Sequence, residues 1–261
     1  MIYDPNQELK PDLTLIYKNV DGLHLPMRVF YPVGGLQEKN KTVLCIHGGG
    51  WTAYKEDQIP WQGNWMRHQA MYFAKKGYLG VEISYRSIDL PGVDIFDLIE
   101  DCEDAVHYLL ENLPFVDTDH IMAIGDSAGG HLALCLAHSD DFKVRPRAVV
   151  ACNPVTDCTG NKWERISPFL ENRKKASPAY NVCKINSQIL VVHGTADSVV
   201  PYSQSVKYVE AMKEAGNDIT LLPLKGVNHA FILFGYQSTD QEANEYMALI
   251  EKYLPALDMD L

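Results

Sequence analysis

The chain has no C-x-x-C pair, no H-E-x-x-H, and neither of the glycine-rich patterns, G-x-G-x-x-G and G-x-x-x-x-G-K-[ST], that cradle phosphates. Its six cysteines (Cys45, Cys102, Cys135, Cys152, Cys158, Cys183) therefore lack redox or zinc spacing. Cys45 and Cys135 stand among apolar neighbours as small core residues do, so reduced thiols are expected rather than a disulfide framework. No apolar run approaches the roughly 18 residues needed to span a bilayer. The opening residues Met1 to Pro5 lack a signal peptide's basic start and apolar stretch, so a cytoplasmic location is expected. Positive charge is scarce: 23 Lys and Arg against 34 Asp and Glu leave a formal net charge of -11. That excess disfavours nucleic acid and anionic membranes as partners, mainly supports solubility, and is neutral toward an uncharged substrate. Internal repeats, low-complexity tracts and interdomain linkers are also missing. At 261 residues, with 46% hydrophobic and 22% charged, a single domain over 1–261 with one sizeable core is the expectation. Oligomeric state is not legible.

What is present is an alternation. "LTLIYKNV" and "LHLPMRVFY" flank Asp21-Gly22, a turn pair that tolerates positive φ, and predict an N-terminal antiparallel hairpin. "TVLCIH", "YLGVEIS", "HIMAIG", "RAVVAC", "QILVVHG" and "DITLLPL" then predict strands. Helical patterns fall near 61–76, 94–113, 128–138, 201–215 and 239–254. Strands separated by helices imply an α/β fold: a mainly parallel sheet covered on both faces, with its sites along the strand C-termini.

Gly125-Asp126-Ser127-Ala128-Gly129-Gly130 follows the strand "HIMAIG" and opens an apolar helix. This is G-x-S-x-G in its strand–turn–helix setting, where near side-chain-free neighbours let a strained turn lift the Ser127 hydroxyl above the sheet edge. A serine needs a base, usually a histidine oriented by a carboxylate, and with such an elbow the chain order is Ser, acid, His. Asp197, just past "QILVVHG", is the best-placed acid; Asp157, after the preceding strand, is the reserve. Asp218 begins its strand and so lies at the wrong edge. Of nine histidines only His229, in the loop "KGVNHAF", lies beyond Asp197, which makes it the candidate base.

The tetrahedral intermediate of acyl transfer needs preorganised N–H donors. Ala128, the residue after the nucleophile, is one candidate; Gly49 and Gly50 of His47-Gly48-Gly49-Gly50-Trp51 are the others. His47 precedes the nucleophile and is assigned to holding that loop.

With "HGGGW", "GDSAGG", "HGTADSVVP" and "GVNHAF" in this order, the chain resembles the α/β-hydrolase esterases from about Val20 to the last helix. It looks most like the small bacterial esterases allied to hormone-sensitive lipase and to acetyl or feruloyl carbohydrate esterases. The resemblance implies a Ser127–Asp197–His229 triad, an oxyanion hole from Gly49, Gly50 and Ala128, and short-chain acyl esters as small-molecule substrates, with no cofactor and no metal. The sequence departs from the hormone-sensitive lipase pattern: His47 comes early, the residues before it are largely used by the hairpin, and only a short polar, proline-containing segment lies between "RAVVACNP" and Asp197, so little or no cap is expected. An open site suits a small acyl group on a bulkier alcohol, such as an acetylated sugar. Trp51, Trp61 and Trp65 in the aromatic stretch after the oxyanion loop are candidate substrate contacts, the alternative being that they pack the first helix onto the sheet. Two other readings stay open. An "HGGxW" loop with this triad also resembles kynurenine formamidases, and a non-catalytic binding homologue can keep the fold.

Overall fold

The computed structural model describes residues 9–52, 65–233 and 238–259. Strands β1 (Leu13–Val20) and β2 (Leu23–Phe30) pair antiparallel about Asp21 and Gly22, whose φ values of 50° and 78° give the turn the left-handed geometry a tight hairpin needs. The free edge of β2 pairs antiparallel with β4 (Leu79–Ile83). From β4 onward the sheet is parallel: β3 (Asn40–Ile46), β5 (Val116–Asp126), β6 (Ala148–Cys152), β7 (Gln188–Gly194) and β8 (Ile219–Leu224). The order is β1-β2-β4-β3-β5-β6-β7-β8, a mainly parallel sheet with the N-terminal hairpin at one edge, the α/β-hydrolase fold.

Every residue of β4 and β6 is buried, as strands covered on both faces must be. Their period of two divides the core into two layers. Leu44, Ala123, Val149 and Val191 point to one face, against α2 (Ile95–Asn112), α3 (Ala128–His138) and α5 (Tyr202–Glu214). Val43, Ile124, Val150 and Leu190 point to the other, against α1 (Trp65–Lys75) and α6 (Asp240–Glu251). Helix α2 shows why these segments are helical. Asp94 caps it by accepting from the N–H of Phe96 and Asp97, while Asp97 accepts from the N–H of Asp94. Ile95, Leu98, Cys102, Ala105, Val106 and Leu109 then recur every three or four residues on its buried side. Its acidic residues tie down the hairpin: Lys18 of β1 bridges Glu100, the buried Asp101 and Asp104 at 2.7–2.8 Å, and Arg86 pairs with Asp97, Glu100 and Asp101. This acidic cluster is thus spanned by cations of the chain itself.

Between β6 and β7 lie a 3-10 turn (Asn161–Ile166), the six-residue α4 (Leu170–Lys175) and a second 3-10 turn (Pro178–Tyr180). Trp163, Ile166 and Ala176 sink into the main core, so the segment lies against the sheet layer instead of rising as a separate cap. All six cysteines are free thiols. Among the described residues, no helix is long and apolar enough to cross a membrane.

Candidate active site

The turn between β5 and α3 consists of Ser127 alone, at φ 53° and ψ -115°. A non-glycine residue there is strained by about 1–3 kcal/mol and persists only where its surroundings over-determine it. Those surroundings are steric. A Cβ on Gly125 would lie 2.2 Å from the Gly129 carbonyl oxygen, and one on Gly129 would lie 2.1 Å from the Ile46 oxygen on β3. Ser127 donates its N–H to Cys152 on β6 and accepts from the N–H of His131, so strand pairing and the first helical bond meet at this residue. Its side chain stands half-buried at the strand C-termini.

The loop after β3 runs along the same edge. Gly49, Gly50 and Trp51 have successive positive φ values of 88°, 65° and 63°, a path that needs glycine at the first two positions. Thr52 holds the Gly49 carbonyl with its hydroxyl at 2.7 Å. His47 is buried beneath, stacked on Tyr85 with ring centroids 4.0 Å apart, and its Nδ1–H donates to the Gly48 carbonyl at 2.9 Å. Tyr85 donates its hydroxyl to the His47 carbonyl at 2.7 Å. Burial lowers the His47 pKa to about 4, so the loop rests on a neutral ring. Among the described residues, no acceptor takes the N–H of Gly49, Gly50 or Ala128.

Trp51 corrects the expectation of a stacking platform. It is fully buried: its indole N–H donates to His131 Nδ1 at 3.2 Å, and its ring meets Trp163 edge-on at 5.6 Å. Its left-handed backbone turns the side chain under the loop, away from solvent. Trp61 lies outside the described residues, and so does the side chain of Trp65, whose backbone opens α1.

Asp197 follows β7 and His229 follows β8. The His229 Nδ1–H donates to Asp197 Oδ2 at 2.7 Å, which leaves Nε2 as the nitrogen able to take a proton. Asp197 Oδ1 accepts from the N–H groups of Val199 and Val200, both at 2.8 Å. Oδ2 also receives a second histidine, His193 of β7, at 3.1 Å. Burial alone would raise the Asp197 pKa; the hydrogen bonds from His193 and His229 outweigh it and hold the carboxyl well below the usual carboxylate range. Asp157 instead commits Oδ1 to the N–H and hydroxyl of Thr159, at 2.8 and 2.6 Å.

A further residue, unforeseen from sequence, joins the elbow to the histidine loop. Asn153, just past β6, donates its side-chain amide to Asp126 Oδ1 at 3.0 Å and accepts the Ala230 N–H at 3.3 Å. Asp126 is buried, and burial pushes its pKa up to about 6, opposed by His229 and the Asn153 hydrogen bond and reinforced by Asp197. The sequence carried one hint for His193, the i,i+4 spacing in His193-Gly194-Thr195-Ala196-Asp197, and none for Asn153.

With this geometry in place, comparison with known proteins is informative. The model of the prolyl oligopeptidase family matches residues 97–255, and the BD-FAE model matches residues 27–149. Among solved structures, the apo form of Thermogutta terrifontis esterase 2 superposes with a TM-score of 0.83 at 25% identity, covering 99% of both chains. Its propionate-bound form gives 0.82 at 26% identity over 98% of both. The same esterase phosphorylated by paraoxon gives 0.82 at 25%, over 98% of both. Among curated relatives, the non-reducing polyketide synthase trt4 of Aspergillus terreus is 30% identical over 199 residues, 70% of this chain but 8% of that protein. Inactive dipeptidyl peptidase 10 of Rattus norvegicus is 21% identical over 252 residues, 90% of this chain and 30% of that protein. The chain therefore spans only a small part of these curated relatives.

Proposed function

The chain belongs to the prolyl oligopeptidase family, in the α/β-hydrolase fold, and on that premise we propose that it hydrolyses short-chain carboxylic esters through an acyl-enzyme on Ser127. The observation that carries this reading is the 2.7 Å His229–Asp197 hydrogen bond, at the same sheet edge as a serine in a strained, glycine-walled elbow. His229 Nε2 takes the Ser127 proton as Oγ attacks the ester carbonyl, and Asp197 fixes the tautomer and stabilises the imidazolium. The tetrahedral oxyanion is met by N–H groups of Gly49, Gly50 and Ala128, each donor being worth roughly 3–4 kcal/mol in such sites. Collapse of that intermediate breaks the ester C–O bond, and the alcohol leaves with the proton from His229. Water, deprotonated by His229, then releases the acid and regenerates Ser127.

Short acyl groups are favoured for two reasons. The longest helix between β6 and β7 has six residues, too little for a helical cap at that position. The similar esterase of Thermogutta terrifontis was solved with propionate and with butyrate bound. The open site left by the short segment between β6 and β7 suits a small acyl group on a bulkier alcohol, such as an acylated carbohydrate.

The test is hydrolysis of p-nitrophenyl acetate, butyrate, octanoate and palmitate by wild type and Ser127→Ala. The expected outcome is turnover of acetate and butyrate above the longer esters, falling by at least about 10⁴-fold in the variant. Folded wild type inert toward all four esters sinks the proposal. N-formylkynurenine turnover under the same conditions then distinguishes an amidase from a binding protein.

A further inference from the structure

His193 is a second histidine on the same carboxylate oxygen. It is fully buried near the C-terminal end of β7, with the edge of Tyr202 against it, ring centroids 5.6 Å apart. Nε2 faces two acceptors, Asp197 Oδ2 and the Val200 carbonyl, both at 3.1 Å, so the proton sits there. Nδ1 is then an acceptor, and the buried Ser205 hydroxyl of α5 donates to it at 2.7 Å. This tautomer is opposite to that of His229, whose Nδ1–H meets the same Oδ2. Ser205 thus hydrogen-bonds His193, whose Nε2–H donates to the Val200 carbonyl and lies 3.1 Å from Asp197 Oδ2, the oxygen that also receives the bond from His229. Both Asp197 oxygens are used: Oδ1 accepts from two backbone N–H groups, and Oδ2 accepts from His229 with His193 Nε2 at 3.1 Å beside it.

Such an arrangement does more than fill space, since an apolar ring would fill the same space without burying a polar group. We propose that His193 is a positioning residue for the acid–base pair: its Nε2–H aims Asp197 Oδ2 at His229 and, by drawing on that oxygen's charge, weakens its hold on the His229 proton. The base is thereby kept neutral, and able to accept the serine proton, to lower pH than a singly bonded aspartate would allow. The inference rests on the triad reading above. The other titratable group facing the pair is Asp126, at the end of β5, whose charge acts on His229, Asp197 and His193 alike. The Tyr202 ring and the Ser205 hydroxyl also pack against His193. Asp126 stays in every variant, so its influence is common to all.

The experiment is the pH dependence of kcat/KM on p-nitrophenyl acetate for wild type, His193→Phe and His193→Gln, with thermal melts on each and Ser127→Ala as control. His193→Phe is expected to move the acidic limb upward by roughly half a pH unit and to lower kcat several-fold with KM nearly unchanged. His193→Gln, whose amide N–H can reach Oδ2, is expected to return the limb to the wild-type position. A folded His193→Phe with unchanged limb and kcat overturns the proposal, and so does an equal displacement in the Phe and Gln variants. Where His193→Phe does not fold, Ser205→Ala probes His193 through its other ring nitrogen: the limb moves the same way by less, and an unmoved limb overturns the proposal. Activity surviving in Ser127→Ala condemns the triad itself, a result distinct from any outcome at His193.

Discussion

The Ser127 side and the Asp197–His229 side of the candidate site are held by different forces. Around Ser127 the constraint is exclusion: Gly125, Gly129 and Gly48 each lie where a Cβ would come within 2.6 Å of a backbone oxygen of another segment. Hydrogen bonding adds little there beyond the ordinary strand and helix bonds of Ser127. Around Asp197 and His229 the constraint is saturation: three N–H donors converge on one carboxylate with a second imidazole 3.1 Å away, and Asn153 bridges Asp126 to the histidine loop. The difference matches the roles proposed for the two sides. A nucleophile must be held in one strained conformation, which close packing does without adding charge. A base must exchange a proton, so its surroundings have to be polar and yet fully paired.

The largest effect should come from breaking exclusion. In Gly129→Ala the new methyl meets Ile46 O at 2.1 Å and His47 O at 2.6 Å, both backbone atoms that cannot turn aside. A loss of more than about 4 kcal/mol is expected, enough to lower Tm by roughly 10 °C or more and to abolish ester turnover. Gly130→Ala, whose Cβ would sit 3.0 Å from Cys152 O, is expected to cost much less. Thermal melts of the two variants check the ordering, and equal stability would mean that packing does not hold the elbow.

The same contrast explains what could be read from sequence. Exclusion leaves a local trace: the glycines that clear space for Ser127 are its neighbours in the chain, and strand, turn and helix follow in one segment. Chain order and strand ends were enough to select Asp197 and His229, which the structure brings within hydrogen-bond distance, because a parallel sheet delivers its C-termini to one edge. Hydrogen-bond saturation leaves almost no local trace. Asn153 acquires its function only because β6 lies between β5 and β7, placing it beside Asp126 on one side and within reach of the Ala230 N–H. His193 reads as an ordinary strand histidine until the turn after β7 brings Asp197 back onto it. Trp51 misled for a similar reason. An aromatic residue after a glycine loop can face outward or inward, and the partners that draw it inward, His131 and Trp163, belong to distant segments.

Asp126 belongs to both regions and sharpens the comparison at intermediate magnitude. Its folded pKa is raised from 3.8 to about 6, chiefly by burial. A group raised in this way contributes its stabilisation fully below the unfolded value, and loses it as pH climbs through the folded value. Above about pH 7 the wild type therefore carries a buried charge that Asp126→Asn removes, while the asparagine oxygen can still accept from Asn153. The variant is expected to be more stable at pH 8, by at most about 3 kcal/mol, and the advantage should vanish near pH 4. Urea unfolding at the two pH values checks this. A variant less stable at pH 8 would show that the Asp126 charge is supported by its neighbours rather than tolerated.

The smallest expected effect concerns Trp51, where the two kinds of constraint meet. Its left-handed backbone is part of the glycine loop, yet its indole N–H completes a polar arrangement below. His131 donates Nε2–H to the Ala176 carbonyl at 2.8 Å, so its Nδ1 is an acceptor that Trp51 alone serves among the described residues. Burial lowers the His131 pKa to about 4, so the ring stays neutral and cannot satisfy Nδ1 by protonation near neutrality. Trp51→Phe keeps an aromatic ring beside Trp163 and leaves that nitrogen unpaired, at a cost of about 1–2 kcal/mol. Because the side chain lies beneath the loop, KM for both p-nitrophenyl and acetylated-sugar esters is expected to stay at the wild-type value. A several-fold rise in KM for the sugar ester with unchanged stability would return Trp51 to the substrate. A loss of stability with KM unmoved would leave it as the support on which the oxyanion loop rests.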